Sequence, residues 1–344
     1  MIDFLRSLCL WAFTLLLSVT AYAVEAPQQF ADIGDLPLVS GETLYDVRIG
    51  YRTAGSLNAD RSNVILFTTW FTGSSGDLVR YDKIGPGLLA DTDRYYVVAV
   101  DALANGVSTS PSNSARQPGD AFPAIAIDDM VNAAHALLTG RLGIDHVHAV
   151  MGISMGGMQT FQWIAQYPDF MDKAVPIDGS PKMSSYDLAL WTTQEQVMET
   201  LLKAGVPDDR VTRLASRIGD LALWTPDWFL AHVAPEDFPA WLAEHTAPDP
   251  MDPRDYLAQL RAMIHHDAWA DFAADEGGYA GRIGAGLLVV GASTDHMVNP
   301  APGRALAEAV GARYLQIESD CGHIGSSCEA WEVNPVIHAF LDAP

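Results

Sequence analysis

The sequence predicts an α/β protein with a mostly parallel central sheet, helices on both faces of that sheet, and a helical cap inserted late in the chain. From residue 63 onward, short and almost entirely apolar runs alternate with longer helical patterns. Strands that are apolar on both faces are typical of parallel sheets covered by helices. The alternation itself is typical of βαβ units. Residues 183–272 interrupt it with helical patterns alone.

The predicted elements follow one another in a simple order. Residues 36–52 predict an antiparallel start, with a strand over 44–51. The later apolar runs predict buried strands over residues 63–69, 95–100, 146–151, 173–177, 286–291 and 313–317. Residues 125–142 and 302–310 are examples of the intervening helices. We therefore expect a core made of residues 24–182 and 273–344, with the cap of residues 183–272 over the carboxyl edge of the sheet, where ligands bind in open α/β folds.

The first 23 residues predict a signal peptide. Arg6 precedes an apolar stretch from residue 8 to residue 19, and the small-residue pattern Ala21-Tyr22-Ala23 follows. The stretch is short for a membrane span, and its end is typical of a cleavage site. We expect an exported protein, periplasmic or secreted, with no stable membrane association after cleavage. An uncleaved N-terminal anchor is the alternative.

The composition excludes several classes of partner. The formal net charge is −23 over 344 residues. A nucleic-acid-binding protein needs Lys and Arg to neutralise phosphates, so we expect no nucleic-acid partner. Neither an H-E-x-x-H motif nor a pair of C-x-x-C motifs is present, so we expect no metal site and no cofactor.

The segment VHAVMGISMGGMQTFQW, residues 147–163, places a serine between an apolar strand pattern and a helical pattern. Residues 152–156 fit G-x-S-x-G, which in this strand–turn–helix context indicates the nucleophile elbow of α/β hydrolases. We predict Ser154 as the nucleophile. The backbone N–H of Met155 would then lie at the start of a helix and stabilise a developing oxyanion.

A serine nucleophile requires a general base and an acid that orients the base. In this fold the acid and then the histidine follow the serine along the chain. Asp295 comes just after one apolar strand, and His323 follows the next. We predict these two residues as the acid and the base. Asp178, which also follows a strand, is the alternative acid.

The loop after the third strand is expected to supply a second oxyanion donor. It reads TTWFTGSSGD over residues 68–77, with glycines that mark a turn. By position, the N–H of Phe71 is the candidate, and that of Trp70 is the alternative.

Two cysteines remain once the predicted signal peptide, which contains Cys9, is removed. Cys321 and Cys328 flank His323 within DCGHIGSSC. In an oxidising compartment such a pair favours a disulfide. Two unconnected thiols are the alternative.

Five segments of the chain carry a resemblance to a known family: YRTAGSLNADRSNVILF, GISMGGMQTFQW, DYLAQLRAM, LVVGASTDHMVNP and ARYLQIESDCGHIG. In these segments the chain resembles the homoserine O-acetyltransferase family of α/β hydrolases. The resemblance implies a triad of Ser154, Asp295 and His323, oxyanion-hole N–H groups at Phe71 and Met155, and a helical lid.

Two positions depart from the pattern of that family. Ile324 follows the histidine where the family typically has an acidic residue that helps to hold an amino-acid substrate, and TTWFTGSSGD replaces a HALTG-type segment. Acetyl-CoA is also cytosolic and polyanionic, whereas this chain is acidic and predicted to be exported. We therefore expect a serine hydrolase acting on a small-molecule acyl substrate. An O-acyltransferase is the first alternative and a non-catalytic binding protein the second. The sequence does not fix the oligomeric state, and a homodimer is compatible with it.

Overall fold

The computed structural model describes residues 25–246, 251–270 and 278–344. The predicted signal peptide, residues 1–23, lies outside the described residues, as do residues 247–250 and 271–272 of the predicted cap and residues 24 and 273–277 of the predicted core. Within the described residues, no helix is both long enough and apolar enough to cross a membrane.

The strands and helices are bounded as follows. The strands are β1 Gln29–Pro37, β2 Thr43–Ala54, β3 Val64–Thr68, β4 Ile84–Gly85, β5 Ala90–Asp91, β6 Tyr96–Val100, β7 Val147–Ile153, β8 Met171–Ile177, β9 Gly286–Ala292 and β10 Arg313–Ile317. The helices are α1 Ser75–Arg80, α2 Ile127–Leu137, α3 Met155–Gln166, α4 Ser185–Lys203, α5 Asp208–Leu223, α6 Pro226–His232, α7 Phe238–Glu244, α8 Pro253–Ile264, α9 Gly278–Arg282, α10 Ala301–Val310, α11 Gly325–Cys328 and α12 Ala330–Asp342.

Eight of the described strands form one sheet in the order β1-β2-β6-β3-β7-β8-β9-β10. The six strands from β6 to β10 in that order pair in parallel, whereas β1 with β2 and β2 with β6 are antiparallel. The predicted fold class, a mostly parallel sheet with an antiparallel start, is therefore confirmed. Because the parallel strands point the same way, the loops that follow β3, β6, β7, β8, β9 and β10 all lie at one edge of the sheet.

Strand β1 begins earlier than the predicted antiparallel start. It runs from Gln29, and most of its residues are exposed or half-buried. An edge strand of this kind has few buried side chains, so hydrophobicity does not mark where it begins. The buried central strands lie close to their predicted positions, because all or nearly all of their residues are buried.

Apolar side chains fill both faces of the sheet. Along β3, Leu66 packs in the layer that includes α2, α3 and the cap, whereas its neighbours Ile65 and Phe67 pack in the layer that includes α1 and α12. Successive strand residues point to opposite faces, so a strand that is buried on both faces must be apolar throughout.

Helices α4 to α8, which we call the cap, follow β8 and precede α9 and β9. Trp191 of α4, Val211 of α5 and Leu260 of α8 are buried in the same apolar cluster as one face of the sheet. On the outside, the guanidinium of Arg261 binds the carboxylates of Glu195 and Glu199, each at 2.6 Å. The cap is thus held to the core by a shared apolar interior.

Candidate active site

Ser154 occupies the turn between β7 and α3 in a strained backbone conformation. Its φ is 58° and its ψ is −121°, in a region that residues with a side chain rarely adopt. The turn is held from both sides, because the Ser154 N–H donates to the carbonyl of Ile177 at 2.9 Å and the Ser154 carbonyl accepts the N–H of Met158 at 3.0 Å. This geometry presents the hydroxyl at the carboxyl edge of the sheet.

The glycines around Ser154 are required by close backbone packing against β3. A Cβ on Gly152 would lie 2.3 Å from the hydroxyl oxygen of Thr68, and a Cβ on Gly156 would lie 2.5 Å from the Thr68 carbonyl oxygen. Both distances are far below van der Waals contact. The G-x-S-x-G spacing therefore has a steric cause in this structure, independent of any chemistry at the serine.

The structure brings the three residues of the predicted triad together. His323 Nε2 lies 2.8 Å from Ser154 Oγ, and His323 Nδ1 lies 2.7 Å from Asp295 Oδ2. All three residues are buried, with 5–8% of their surface exposed. An imidazole that donates from Nδ1 to a carboxylate has Nε2 free to accept the serine proton, which is the arrangement a general base requires.

The carboxylate of Asp295 is fixed by the loop that carries it. Its Oδ1 accepts the N–H groups of Met297 and Val298, each at 2.9 Å, which leaves Oδ2 for the histidine. These local hydrogen bonds hold the carboxylate in the orientation that selects the imidazole tautomer.

The electrostatic surroundings raise the pKa of His323 above its usual value. Burial is the largest single influence and opposes the charged imidazolium, but the carboxylate of Asp295, through its charge and its hydrogen bond, together with the charges of Asp178 and Asp187, outweighs it. The site therefore stabilises the imidazolium that forms when the histidine accepts a proton.

Asp178, the alternative acid, does not pair with the histidine ring. It follows β8 with a φ of 46°, and its Oδ1 accepts the N–H of Ala292 at 3.2 Å. Burial, followed by the charge of Asp295, raises the pKa of Asp178 to about 7. The carboxylate bonded to the imidazole is that of Asp295.

The loop after β3 carries the candidates for the second oxyanion donor. Phe71 lies in a turn closed by a hydrogen bond of 3.0 Å from the Gly73 N–H to the Trp70 carbonyl. The Phe71 ring packs edge-on against the rings of Trp191 and Tyr256, at centroid distances of 5.9 and 4.6 Å. Trp70, the alternative, is the first residue of the same turn.

Met155, the other candidate donor, is the first residue of α3. The first N–H groups of a helix have no partner within the helix, and the helix dipole favours negative charge near them. The Met155 N–H thus follows Ser154 directly, at a position suited to an oxyanion.

A disulfide closes the loop that contains His323. Cys321 and Cys328 are bonded to each other, with seven residues of sequence separation. The same loop is held from outside by a hydrogen bond of 2.8 Å from Lys83 Nζ to the hydroxyl of Ser327. The histidine is therefore placed on a short, covalently closed segment.

Three buried cap side chains, which the sequence did not single out, bind the backbone of loops that carry predicted site residues. One contact is with the loop of Phe71, one with the loop of Asp295 and one with the loop of His323. The three contacts are Gln259 to the N–H of Thr72, Asp187 to the N–H of Asn299, and the hydroxyl of Thr225 to the carbonyl of Asp320. Gln259 lies within the segment DYLAQLRAM that carries the family resemblance. No local pattern marks any of the three as a site residue, because each binds a partner far along the chain.

The described part of the chain contains no cluster of three or more His, Cys, Asp or Glu side chains arranged to hold a metal ion.

Comparison with known proteins identifies the family. A model of the α/β-hydrolase fold matches residues 63–327. A "Probable esterase" of Corynebacterium glutamicum is 36% identical over 178 residues, which are 51% of this chain and 51% of the esterase. A homoserine O-acetyltransferase of Geotalea daltonii is 41% identical over 172 residues, 45% of this chain and 47% of that enzyme.

A solved structure covers more of the chain. An acetylester hydrolase from Corynebacterium glutamicum superposes with a TM-score of 0.84 at 27% identity, over 92% of this chain and 96% of that one. The matches to the two sequence relatives span about half of their lengths. The matched family model and the described fold show that the chain belongs to the α/β-hydrolase fold family, within which it is similar to the homoserine O-acetyltransferases.

Proposed function

We propose that the protein is a serine hydrolase that cleaves ester-type acyl bonds of small molecules, with amide bonds as the second choice, through an acyl-enzyme on Ser154. The observation that carries the proposal is the continuous hydrogen-bonded chain from Ser154 Oγ through His323 to Asp295. The strained backbone of Ser154 adds support, because strain of this kind persists where the surrounding structure enforces it, frequently at active sites.

The first half-reaction forms the acyl-enzyme. Ser154 Oγ attacks the acyl carbon while His323 Nε2 takes its proton, and the N–H groups of Phe71 and Met155 bind the oxyanion of the tetrahedral intermediate. Collapse of the intermediate breaks the ester C–O bond, and His323 returns the proton to the departing alkoxide. Asp295 holds the ring and stabilises the imidazolium throughout.

The second half-reaction releases the acid. His323 takes a proton from water as the water oxygen attacks the acyl carbon, and the second tetrahedral intermediate then expels Ser154 Oγ, which regains its proton from His323. The products are one alcohol and one carboxylic acid. We further propose an exported protein with no nucleic-acid partner, so that water rather than a cytosolic acyl carrier is the abundant co-substrate.

Two features favour hydrolysis over transfer. The names of the esterase relative and of the acetylester hydrolase structure both describe hydrolases. Ile324, a half-buried apolar residue directly after the histidine, stands where the resemblance implies an acidic side chain for an amino-acid acceptor. O-acyl transfer remains the second candidate because of the similarity to homoserine O-acetyltransferases, and it shares the first half-reaction.

The test is the hydrolysis of p-nitrophenyl acetate and longer esters by the wild type and by Ser154→Ala. We expect turnover by the wild type, a loss of several orders of magnitude in kcat for Ser154→Ala, and wild-type activity for Ser114→Ala. Ser114 is as buried as Ser154, at 8% exposure, and its hydroxyl accepts the Gln117 N–H, which makes it a matched control. A fluorophosphonate should likewise label the wild type and Ser114→Ala but not Ser154→Ala.

The outcomes separate the three candidate functions. Free acid as the only product, at a rate that added amino-acid and alcohol acceptors do not change, supports hydrolysis. Acylated acceptor as the main product would replace the proposal with an acyltransferase. A wild type without turnover or fluorophosphonate labelling would indicate a binding protein.

A further inference from the structure

We propose that Gln259 of the cap is a positioning residue for the oxyanion hole, which it maintains by holding the turn of Phe71 in one of two backbone forms. The inference rests on the proposed function, because it assigns a role in ester hydrolysis to a residue that does not touch the substrate. The contact between Gln259 and the turn would connect the cap to the chemistry, in addition to the apolar packing.

The turn that carries Phe71 has an unusual conformation. Its four residues run from Trp70 to Gly73 and are closed by the Gly73 N–H bond to the Trp70 carbonyl. Thr72, in the third position, has a φ of 63°, whereas Phe71, in the second, has no positive φ. This combination is a type II turn, which normally has glycine in the third position. A threonine there favours type I, so another interaction must hold the type II form.

Gln259 supplies that interaction. Its Oε1 accepts the Thr72 N–H at 2.9 Å, and its Nε2 donates to the Leu103 carbonyl at 3.0 Å. The side chain is fully buried, and both of its polar atoms are satisfied. Because one partner is a donor and the other an acceptor, an amide fits this place and an apolar residue leaves both backbone groups without a partner.

The hydrogen bond acts on the peptide that distinguishes the two turn types. Types I and II differ by a rotation of the central peptide, here the one between Phe71 and Thr72. Holding the Thr72 N–H therefore selects type II. The Phe71 N–H belongs to the adjacent peptide and is joined to the central peptide through the Phe71 Cα. We therefore expect a turn that is no longer fixed at Thr72 to hold the proposed oxyanion donor less precisely.

A second residue of the same helix holds the same turn. Tyr256, one helical turn before Gln259, packs its ring edge-on against Phe71 at 4.6 Å. The Tyr256 hydroxyl accepts a hydrogen bond of 2.7 Å from Gln194 Nε2 of α4. Helix α8 thus contacts the turn at a backbone N–H and at an aromatic ring, and helix α4 fixes the position of α8.

The main test compares Gln259→Leu with Gln162→Leu. Gln162 is an equally buried glutamine on α3 that binds Asp128, away from the turn. We expect Gln259→Leu to lower kcat about 10- to 100-fold, less than the loss of a whole oxyanion donor, with KM within about twofold. Inhibition by a boronic acid, which forms a tetrahedral adduct on Ser154, should weaken by a similar factor. Gln162→Leu should lower the melting temperature but not kcat.

A rescue separates positioning from general destabilisation. Glycine adopts a positive φ without strain, so Thr72→Gly should leave the wild-type kcat nearly unchanged and should restore most of the kcat lost in Gln259→Leu. If Gln259→Leu alone does not fold, Thr72→Gly is compared with Thr72→Gly/Gln259→Leu. If the kcat values of those two variants agree within about threefold, the proposal is supported. A larger loss of kcat in the double variant refutes it.

The failure of this inference is distinguishable from failure of the proposed function. An active wild type and inactive Ser154→Ala, with an unchanged kcat in Gln259→Leu or a loss confined to KM, would overturn the role of Gln259 alone. An unrescued loss of kcat in the double variant would do the same. A wild type without ester hydrolysis would overturn both.

Discussion

Breaking the disulfide between Cys321 and Cys328 should destabilise the protein and loosen the loop of His323. The perturbation is either a reducing agent or the Cys328→Ser variant. The bridge closes a loop of eight residues, since the cysteines are seven positions apart. In the chain-entropy description, a closed loop of about eight residues contributes about 2.5 kcal/mol at 25 °C by restricting the unfolded chain.

That contribution is comparable to or larger than those of the other contacts of the loop. The hydrogen bond from Thr225 to the Asp320 carbonyl contributes about 1 kcal/mol net, and the one from the charged Lys83 to Ser327 about 1.5–3 kcal/mol. The disulfide is therefore among the strongest restraints on the segment that carries His323. We expect the melting temperature to fall by about 5 °C and kcat to fall several-fold, because the imidazole is then less often within reach of Ser154.

The assay combines calorimetry, ester hydrolysis and thiol titration, with and without the reducing agent. Reduction should release two additional thiols from the wild type. The Cys328→Ser variant, already without the bridge, is the control and should show no further change in melting temperature on reduction. A wild type whose melting temperature, kcat and thiol count do not respond to reduction would refute the reasoning.

Three carboxylates give further predictions. Asp295→Asn should lower kcat by a factor of about 10⁴, since the amide favours the wrong tautomer of His323. A larger loss of kcat in Asp178→Asn would identify Asp178 as the acid. Burial raises the pKa of Asp178 to about 7, so ionisation of this carboxyl lowers the free energy of unfolding as the pH rises from about 4 to 7. At pH 8, Asp178→Asn should therefore unfold at a higher urea concentration than the wild type. An equal or lower urea midpoint would contradict this expectation. The raised pKa of His323 predicts that the acidic limb of the kcat/KM profile lies at a higher pH than an ordinary histidine would give. Asp187→Asn should move the acidic limb of the kcat/KM profile to lower pH. The control Asp129→Asn changes an equally buried carboxyl elsewhere in the molecule and should leave the limb in place.

The fold was largely predictable because its central strands are buried on both faces. Strands β3 and β7 have almost no exposed residues, so hydrophobicity alone marks them in the sequence. Strand β1 was located only in part, because an edge strand with exposed side chains differs little from a loop in composition. Periodicity is informative only where burial enforces it.

The residues of the candidate site were predictable for a related reason. Ser154 lies in a motif with a steric cause, since the packing against Thr68 allows no side chain at Gly152 or Gly156. Asp295 and His323 each follow a strand of the parallel sheet, so the topology places them at the same edge as the serine. The structure brings the three side chains within hydrogen-bonding distance, and their catalytic roles stay predictions that the variants above would test.

The contacts between the cap and the loops were not predictable, because they depend on three-dimensional proximity and not on local pattern. The three pairs are separated along the chain by 187, 112 and 95 residues. In the sequence, Gln259 is one polar residue of an amphipathic helix, Asp187 a helix-capping residue and Thr225 a residue before a proline. Each is distinguished only by a backbone partner in a loop at the carboxyl edge of the sheet. Because each loop carries a different predicted site residue, a change in how the cap is seated should alter the oxyanion hole, the acid and the base together. Substitutions in the cap interior should therefore affect kcat even where they contact no substrate.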